Sequence, residues 1–216
     1  MQWVHESAGS DAPALLLAAG LPDTRTHLHE VKTYTERWKY FRLDLLSPDE
    51  AADALSVPLE KRGVTIDAAA LKTIVHEVDG YPYFVQEYGA AIWTAQEGNR
   101  ITKAIADAVV PGVRRTLDSS LYDGLFQRLT GRELRYAFAL AKLGAGAHRV
   151  GEVAAVLDST SKDVNWIRNQ LIKKDVIFVP APELVEFRLP LTERYIERHR
   201  RVLMRRIPSA SPSISK

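Results

Sequence analysis

The sequence predicts a mainly α-helical protein: strand candidates come first, a small helical bundle follows, and three helices with a hairpin close the chain. Three observations carry this expectation. Capping boxes recur in front of apolar residues spaced three and four apart, short apolar runs of strand length stand before residue 46, and the net charge changes sign near residue 124. The 216 residues, 46% hydrophobic and 26% charged, allow one large domain or two small ones with a real core. Such a composition excludes wholesale disorder and fibrous repeats.

Other classes fall away as directly. No apolar run reaches the roughly 18 residues of a spanning helix. Met1-Gln2-Trp3-Val4-His5-Glu6 lacks the basic and apolar regions of a secretory signal, so the chain reads as cytoplasmic. With no cysteine there are no disulfides, thiol nucleophiles or Cys-type metal sites. His27 and His29 are a close histidine pair without a third ligand, and no metal site is assigned to them. Ser7 and Ser10 sit in no nucleophile elbow.

Element by element, Pro13–Gly20 reads as a buried strand ended by Leu21-Pro22-Asp23, and Tyr40–Leu45 as a second strand. Two strands do not make a stable sheet, so residues 1–46 are expected to be the end of something larger. Ser47-Pro48-Asp49-Glu50 is a capping box with proline at N1, opening a helix to about Lys61 that Gly63 stops. Asp67 opens a helix through Val78 with Leu71, Ile74, Val75 and Val78 on one face. A third helix follows Gly80-Tyr81-Pro82 and runs to Glu97, and a fourth starts near Thr102.

From Asp123 onward the pattern changes. Thr130-Gly131-Arg132-Glu133 caps a helix to about Leu143, Val150–Leu157 makes a second, and Thr160-Ser161-Lys162-Asp163 caps a third. The third is expected to bury Val164, Ile167, Leu171 and Ile172 and to show Lys162, Asn165, Trp166, Asn169 and Lys173. Val176–Val179 and Leu184–Leu189 form a hairpin around Pro-Ala-Pro, and a last helix runs from Leu191 to about Arg206. Three helices followed by a hairpin read as a winged helix-turn-helix. The Ser/Pro-rich end, 208–216, is expected to be a disordered tail.

Charge divides the same way. Residues 1–124 hold 12 Lys/Arg and 18 Asp/Glu, a net of −6; residues 125–216 hold 17 and 9, a net of +8. The asymmetry suggests two modules, the second facing something anionic, or else a solvated basic face.

No Gly-x-x-x-x-Gly-Lys-Ser/Thr loop and no Gly-x-Gly-x-x-Gly is present, so the chain carries no nucleotide-phosphate cradle of its own. Yet Leu15–Pro22, Tyr34-Thr35-Glu36-Arg37, Ser47–Ala51, Gly80-Tyr81-Pro82-Tyr83-Phe84-Val85-Gln86-Glu87-Tyr88-Gly89, Trp93, Leu171–Lys174 and Phe187–Pro190 together resemble the C-terminal half of bacterial AAA-type ATP-binding proteins related to the ORC and STAND ATPases. The resemblance spans about residues 12–200 and implies four parts: 1–46, the remnant of an α/β ATPase core with its sensor-1 strand; 47–122, a helical lid; 123–207, a winged helix domain; 208–216, the tail. It implies ATP with Mg as cofactor in a full-length protein and none for this chain alone, which without the P-loop and Walker B strand is not ATP-hydrolysing by itself.

By the same resemblance Arg37 occupies the place of an arginine finger, the catalytic position that stabilises charge on a neighbour's nucleotide. Gly80, Tyr81 and Pro82 match the lid element that packs near adenine. The plainer readings are a surface ion pair for Arg37, helix punctuation for Gly80 and Pro82, and core packing for Tyr81, Tyr83, Phe84, Tyr88 and Trp93. In the winged helix, Asn165, Trp166, Asn169, Lys173 and Arg188 are the candidate DNA-binding residues, with Arg194, Arg198, Arg200, Arg201, Arg205 and Arg206 as added phosphate contacts. DNA and another protein both stay open as its target, with a homo-oligomer among the expected assemblies and no membrane partner. The alternative function is a stand-alone winged-helix module that binds DNA or protein, with its N-terminal helices dimerising; a third is a partner protein of the toxin or effector kind.

Overall fold

Helix follows helix along most of the chain, and the strands are only two to four residues long. The structure, a computed structural model, describes residues 44–96 and 98–207, together with Leu17 and residues 38–41. The chain divides after Phe41, and the second unit, Arg42–Lys216, holds every element that follows. Arg37, the histidine pair and the tail lie outside the described residues. Of the expected Pro13–Gly20 strand only Leu17 is described; it is exposed and in no strand. The expected Tyr40–Leu45 strand is not seen either: Tyr40, Phe41, Asp44 and Leu45 carry no regular structure. Directly after them the Leu46 N–H goes to the Gly80 carbonyl (2.8 Å), and the chain turns into a helix instead of joining a ladder.

That helix, α1 (Pro48–Glu60), starts where its capping box directs. Ser47 Oγ accepts from the Glu50 N–H (3.2 Å) and Glu50 Oε2 accepts from the Ser47 N–H (2.8 Å). A cap of this kind is worth about 1 kcal/mol. α2 (Ala68–Val78) buries Ala70, Ile74 and Val78; Leu71 and Val75 are only half-buried, and Glu77 takes a place in the buried face. Asp67 stands at the N-cap position but does not cap. Its carboxylate instead accepts from Arg100 Nε (2.8 Å), beside a parallel pairing of β1 (Thr65–Ile66) with β2 (Arg100–Ile101). α3 (Pro82–Ala95) uses proline at N1, and α4 (Lys103–Leu117) is capped by Thr102. Ala51, Leu55, Ile74, Tyr88, Ile92 and Ala106 close the core of these four helices.

Beyond α4 the helix widens into a π-helical stretch, Asp118–Asp123, then tightens into α5 (Gly124–Gln127). α6 (Gly131–Leu143) begins on the Thr130–Glu133 capping box and ends at Gly144, φ +101. Next come β3 (His148–Arg149), α7 (Val150–Val156), α8 (Ser161–Lys173), β4 (Ile177–Phe178), β5 (Leu184–Phe187) and α9 (Thr192–Met204). The three strands form one antiparallel sheet in the order β3-β5-β4, with His148 opposite Val185 and Ile177 opposite Phe187. Leu134, Tyr136, Leu140, Val153, Leu171, Ile177, Val185 and Ile196 form the core beneath it.

Candidate functional site

α8 carries the surface best suited to contact a partner. The Thr160 hydroxyl accepts from the Asp163 N–H (3.3 Å), fixing where the helix starts, and Val164 and Leu171 are buried against the body, fixing its rotation. As expected from the periodicity, Lys162, Asn165, Trp166, Asn169 and Lys173 are all exposed; Ile167 and Ile172 are half-buried. At about 100° per residue these five side chains fall within an arc of roughly 100°. The stripe has lysines at its ends, two asparagines four residues apart between them, and an indole 61% exposed at its edge. Arg168 Nη2 donates to Asn169 Oδ1 at 3.5 Å, a long contact that biases the amide's orientation.

Arg188 does not share that surface. Its side chain is 6% exposed, with Nε 3.6 Å from Asp175 Oδ1 and the guanidinium over the Phe178 ring (5.7 Å), so it braces the hairpin. Most of the arginines in and just after α9 also make contacts within the molecule. Arg206 donates to the carbonyls of Phe126, Gln127 and Leu129, Arg194 to the His76 carbonyl, and Arg198 to Asp118, while Arg200 lies 3.4 Å from Glu197. Arg201 and Arg205 are exposed.

Gly80, Tyr81 and Pro82 meet at the turn between α2 and α3. Gly80 has φ +74, and a Cβ there would collide with the Leu46 carbonyl oxygen, so close approach of two backbones requires glycine. Pro82 opens α3, and the Tyr81 ring meets Phe84 edge-on at 5.0 Å. Of the aromatic cluster Phe84 and Tyr88 are core, whereas Tyr83 and Trp93 are exposed; Trp93 borders an open apolar groove of about 460 Å³ with Leu55, Pro58, Leu59, Val85 and Ile92.

Two buried carboxylates went unnoticed in the sequence. Glu77 accepts from Arg114 Nε (2.7 Å) and Nη2 (2.6 Å) and from the Tyr88 hydroxyl (3.3 Å). Asp118 accepts from both Nε and Nη2 of Arg198, and His199 Nε2 lies 2.9 Å from it. Both line a polar crevice of about 110 Å³ between α4 and α9. Burial pushes the Glu77 carboxyl up, but the Arg114 guanidinium and the Tyr88 hydroxyl outweigh it and hold it below the ordinary value of 4.5. Glu133 is likewise raised by burial and lowered further by Lys174 Nζ (2.7 Å) and the Thr130 cap.

Because both folded-state values lie below the unfolded one, these pairs contribute their full stability above about pH 4.5 and lose it as the pH falls through the lower folded values. Urea midpoints measured from pH 7 downward should therefore drop below pH 4.5, and the double variant Glu77→Gln with Glu133→Gln should show a shallower acid limb. An unchanged limb in that variant would assign the acid sensitivity to other groups.

The class these features define is a mainly helical protein with a three-stranded antiparallel sheet packed beside an exposed polar helix face. Among the described residues no helix is long and apolar enough to cross a membrane, and no three metal-ligating side chains come together. A family model described as a domain of unknown function, DUF8462, matches residues 119–196, from the π-helical stretch into α9. No curated protein matches the chain.

Proposed function

We propose that residues 123–207 form a winged helix-turn-helix module that binds double-stranded DNA through α8. In the same reading residues 47–122 are the helical lid of an ATP-binding protein of the AAA/STAND kind, of which this chain is the C-terminal portion. One observation carries the DNA reading: the order α6-β3-α7-α8-β4-β5, with sheet order β3-β5-β4, leaves bare on α8 a stripe of amides and lysines. Amides read base edges and lysines neutralise phosphates. The wing, Val179-Pro180-Ala181-Pro182-Glu183, has no basic residue, so we assign the phosphate contacts of this face to Lys162 and Lys173 at the two ends of α8.

The full chain is expected to bind a mixed-sequence duplex with log affinity falling against log salt at a slope of about −2, the value for two neutralised phosphates. Lys162→Ala and Lys173→Ala should each flatten that slope by about 1. Retention of affinity at high salt, or slopes untouched by both variants, would overturn the assignment. Trp166 favours protein docking as the second reading, since exposed tryptophans anchor protein interfaces. Salt-independent capture of a partner protein, lost in Trp166→Ala with no duplex binding, would establish it instead. Mg-ATP is expected to bind the chain weakly or not at all, because the sequence has no phosphate-cradling loop.

A further inference from the structure

We propose that α8 selects A·T base pairs in the major groove, with Asn165 and Asn169 reading adenines and Trp166 contacting a thymine methyl; the inference rests on the duplex-binding reading above. Between its two end lysines the stripe holds two kinds of group able to discriminate bases. An asparagine amide pairs bidentately with adenine N6 and N7, its oxygen accepting and its nitrogen donating. An apolar side chain in the major groove finds one apolar feature there, the thymine C5-methyl.

Arginine, the strongest reader of guanine, is not on the stripe, whose two lysines are placed where they meet phosphate. Arg168, the arginine of α8, is half-buried and donates to Asn169 Oδ1, and Arg188 is packed inside the hairpin. The two lysines stand at the ends of the stripe, about 16 Å apart at 1.5 Å per residue, which suits phosphates flanking a groove about 12 Å wide. Asn165 and Asn169 are separated by about 6 Å along the axis, close to two base-pair rises of about 3.4 Å each. The Arg168 contact uses one lone pair of Asn169 Oδ1 and leaves the other for an adenine amino group.

Anisotropy titrations of the full chain against labelled alternating dA-dT, dG-dC, dI-dC and dA-dU duplexes, at one fixed salt concentration, test this. The dA-dT duplex is expected to bind at least about tenfold more tightly than dG-dC, the discrimination of one bidentate amide contact. The dI-dC duplex should behave as dG-dC, since hypoxanthine shares guanine's major-groove acceptors but lacks its minor-groove amino group. Removing the methyl in dA-dU should cost about threefold to fourfold, the transfer free energy of one buried carbon. Trp166→Ala should abolish the thymine-uracil difference, and the double variant Asn165→Ala with Asn169→Ala should bind both duplexes with the dA-dT preference reduced to the roughly threefold to fourfold that the thymine methyl supplies. These variants also separate base contact from duplex deformability, which they leave untouched. Equal affinity for dA-dT and dG-dC, or dI-dC behaving as dA-dT, would overturn the inference and leave duplex binding standing. Failure to bind any duplex would overturn the duplex reading, and this inference with it.

Discussion

Tyr195→Ala is expected to cost about 4 kcal/mol of stability, the usual scale for deleting a buried aromatic ring. The Tyr195 ring is buried in α9 and stacks on Tyr122 (4.9 Å, 19°), beside Phe126 (5.0 Å) and His199 (4.5 Å). Its hydroxyl donates to Asp123 Oδ1 at 2.8 Å. Alanine removes the aromatic contacts and the hydrogen bond together, and leaves a cavity between α9 and the π-helical stretch. Tyr195→Phe keeps the ring and should cost only about 1 kcal/mol, the typical worth of one hydrogen bond. Urea unfolding followed by far-ultraviolet circular dichroism separates the two, read as a fall in midpoint at constant slope. A small loss in both variants would mean that α9 is not anchored through this ring.

The second large effect is expected at Asp118. Its side chain is 8% exposed, whereas Arg198 and His199 are 33% and 35% exposed. Removing one partner of a fully buried pair costs about 3–5 kcal/mol, because a charge is left without compensation. Here water reaches the partners, so Asp118→Ala should cost less, about 2 kcal/mol. Replacing Arg198 by leucine in the same chain should recover part of that loss, since the stranded guanidinium is then gone. A double variant as unstable as the sum of the two single ones would show that the residues act independently. The site lies close to Tyr195, so Asp118→Ala and Tyr195→Ala are expected to be non-additive.

What could be read in the sequence was what is decided within a few residues. The Ser47–Glu50, Thr130–Glu133 and Thr160–Asp163 boxes place three helix starts, because cap and acceptor are three positions apart. The exposed stripe of α8 followed from the helical period alone. Pairings across long separations were not legible. Thr65 meets Arg100 and His148 meets Val185 in strands of two to four residues, too short to show alternation. Asp118 meets Arg198 eighty positions away, and nothing local marks an aspartate as buried. For the same reason nothing local in the basic excess after residue 124 showed that Arg188, Arg198 and Arg206 also bond within the molecule. At Gly80 the sequence pattern gave a turn; the structure adds the neighbouring Leu46 backbone that excludes any side chain.

The π-helical stretch gives the molecule a dependence on number as well as on chemistry. Between Lys103 and Gln127 the backbone winds without a break, yet the six residues 118–123 turn more slowly than the helices on either side. Asp118 engages Arg198, Asp123 engages Tyr195, and the Tyr122 hydroxyl donates to the Pro190 carbonyl at 2.5 Å. Those three bonds hold only while the wide turn keeps its side chains aimed at α9. Deleting a single residue there would let the stretch wind as ordinary α-helix: five residues at about 100° each turn nearly as far as the six slower ones, so the chain would leave in the same direction while the three side chains lost their aim. The extra residue of the wide turn thus points Asp118, Tyr122 and Asp123 at partners about seventy to eighty positions further on without changing the direction in which the chain leaves.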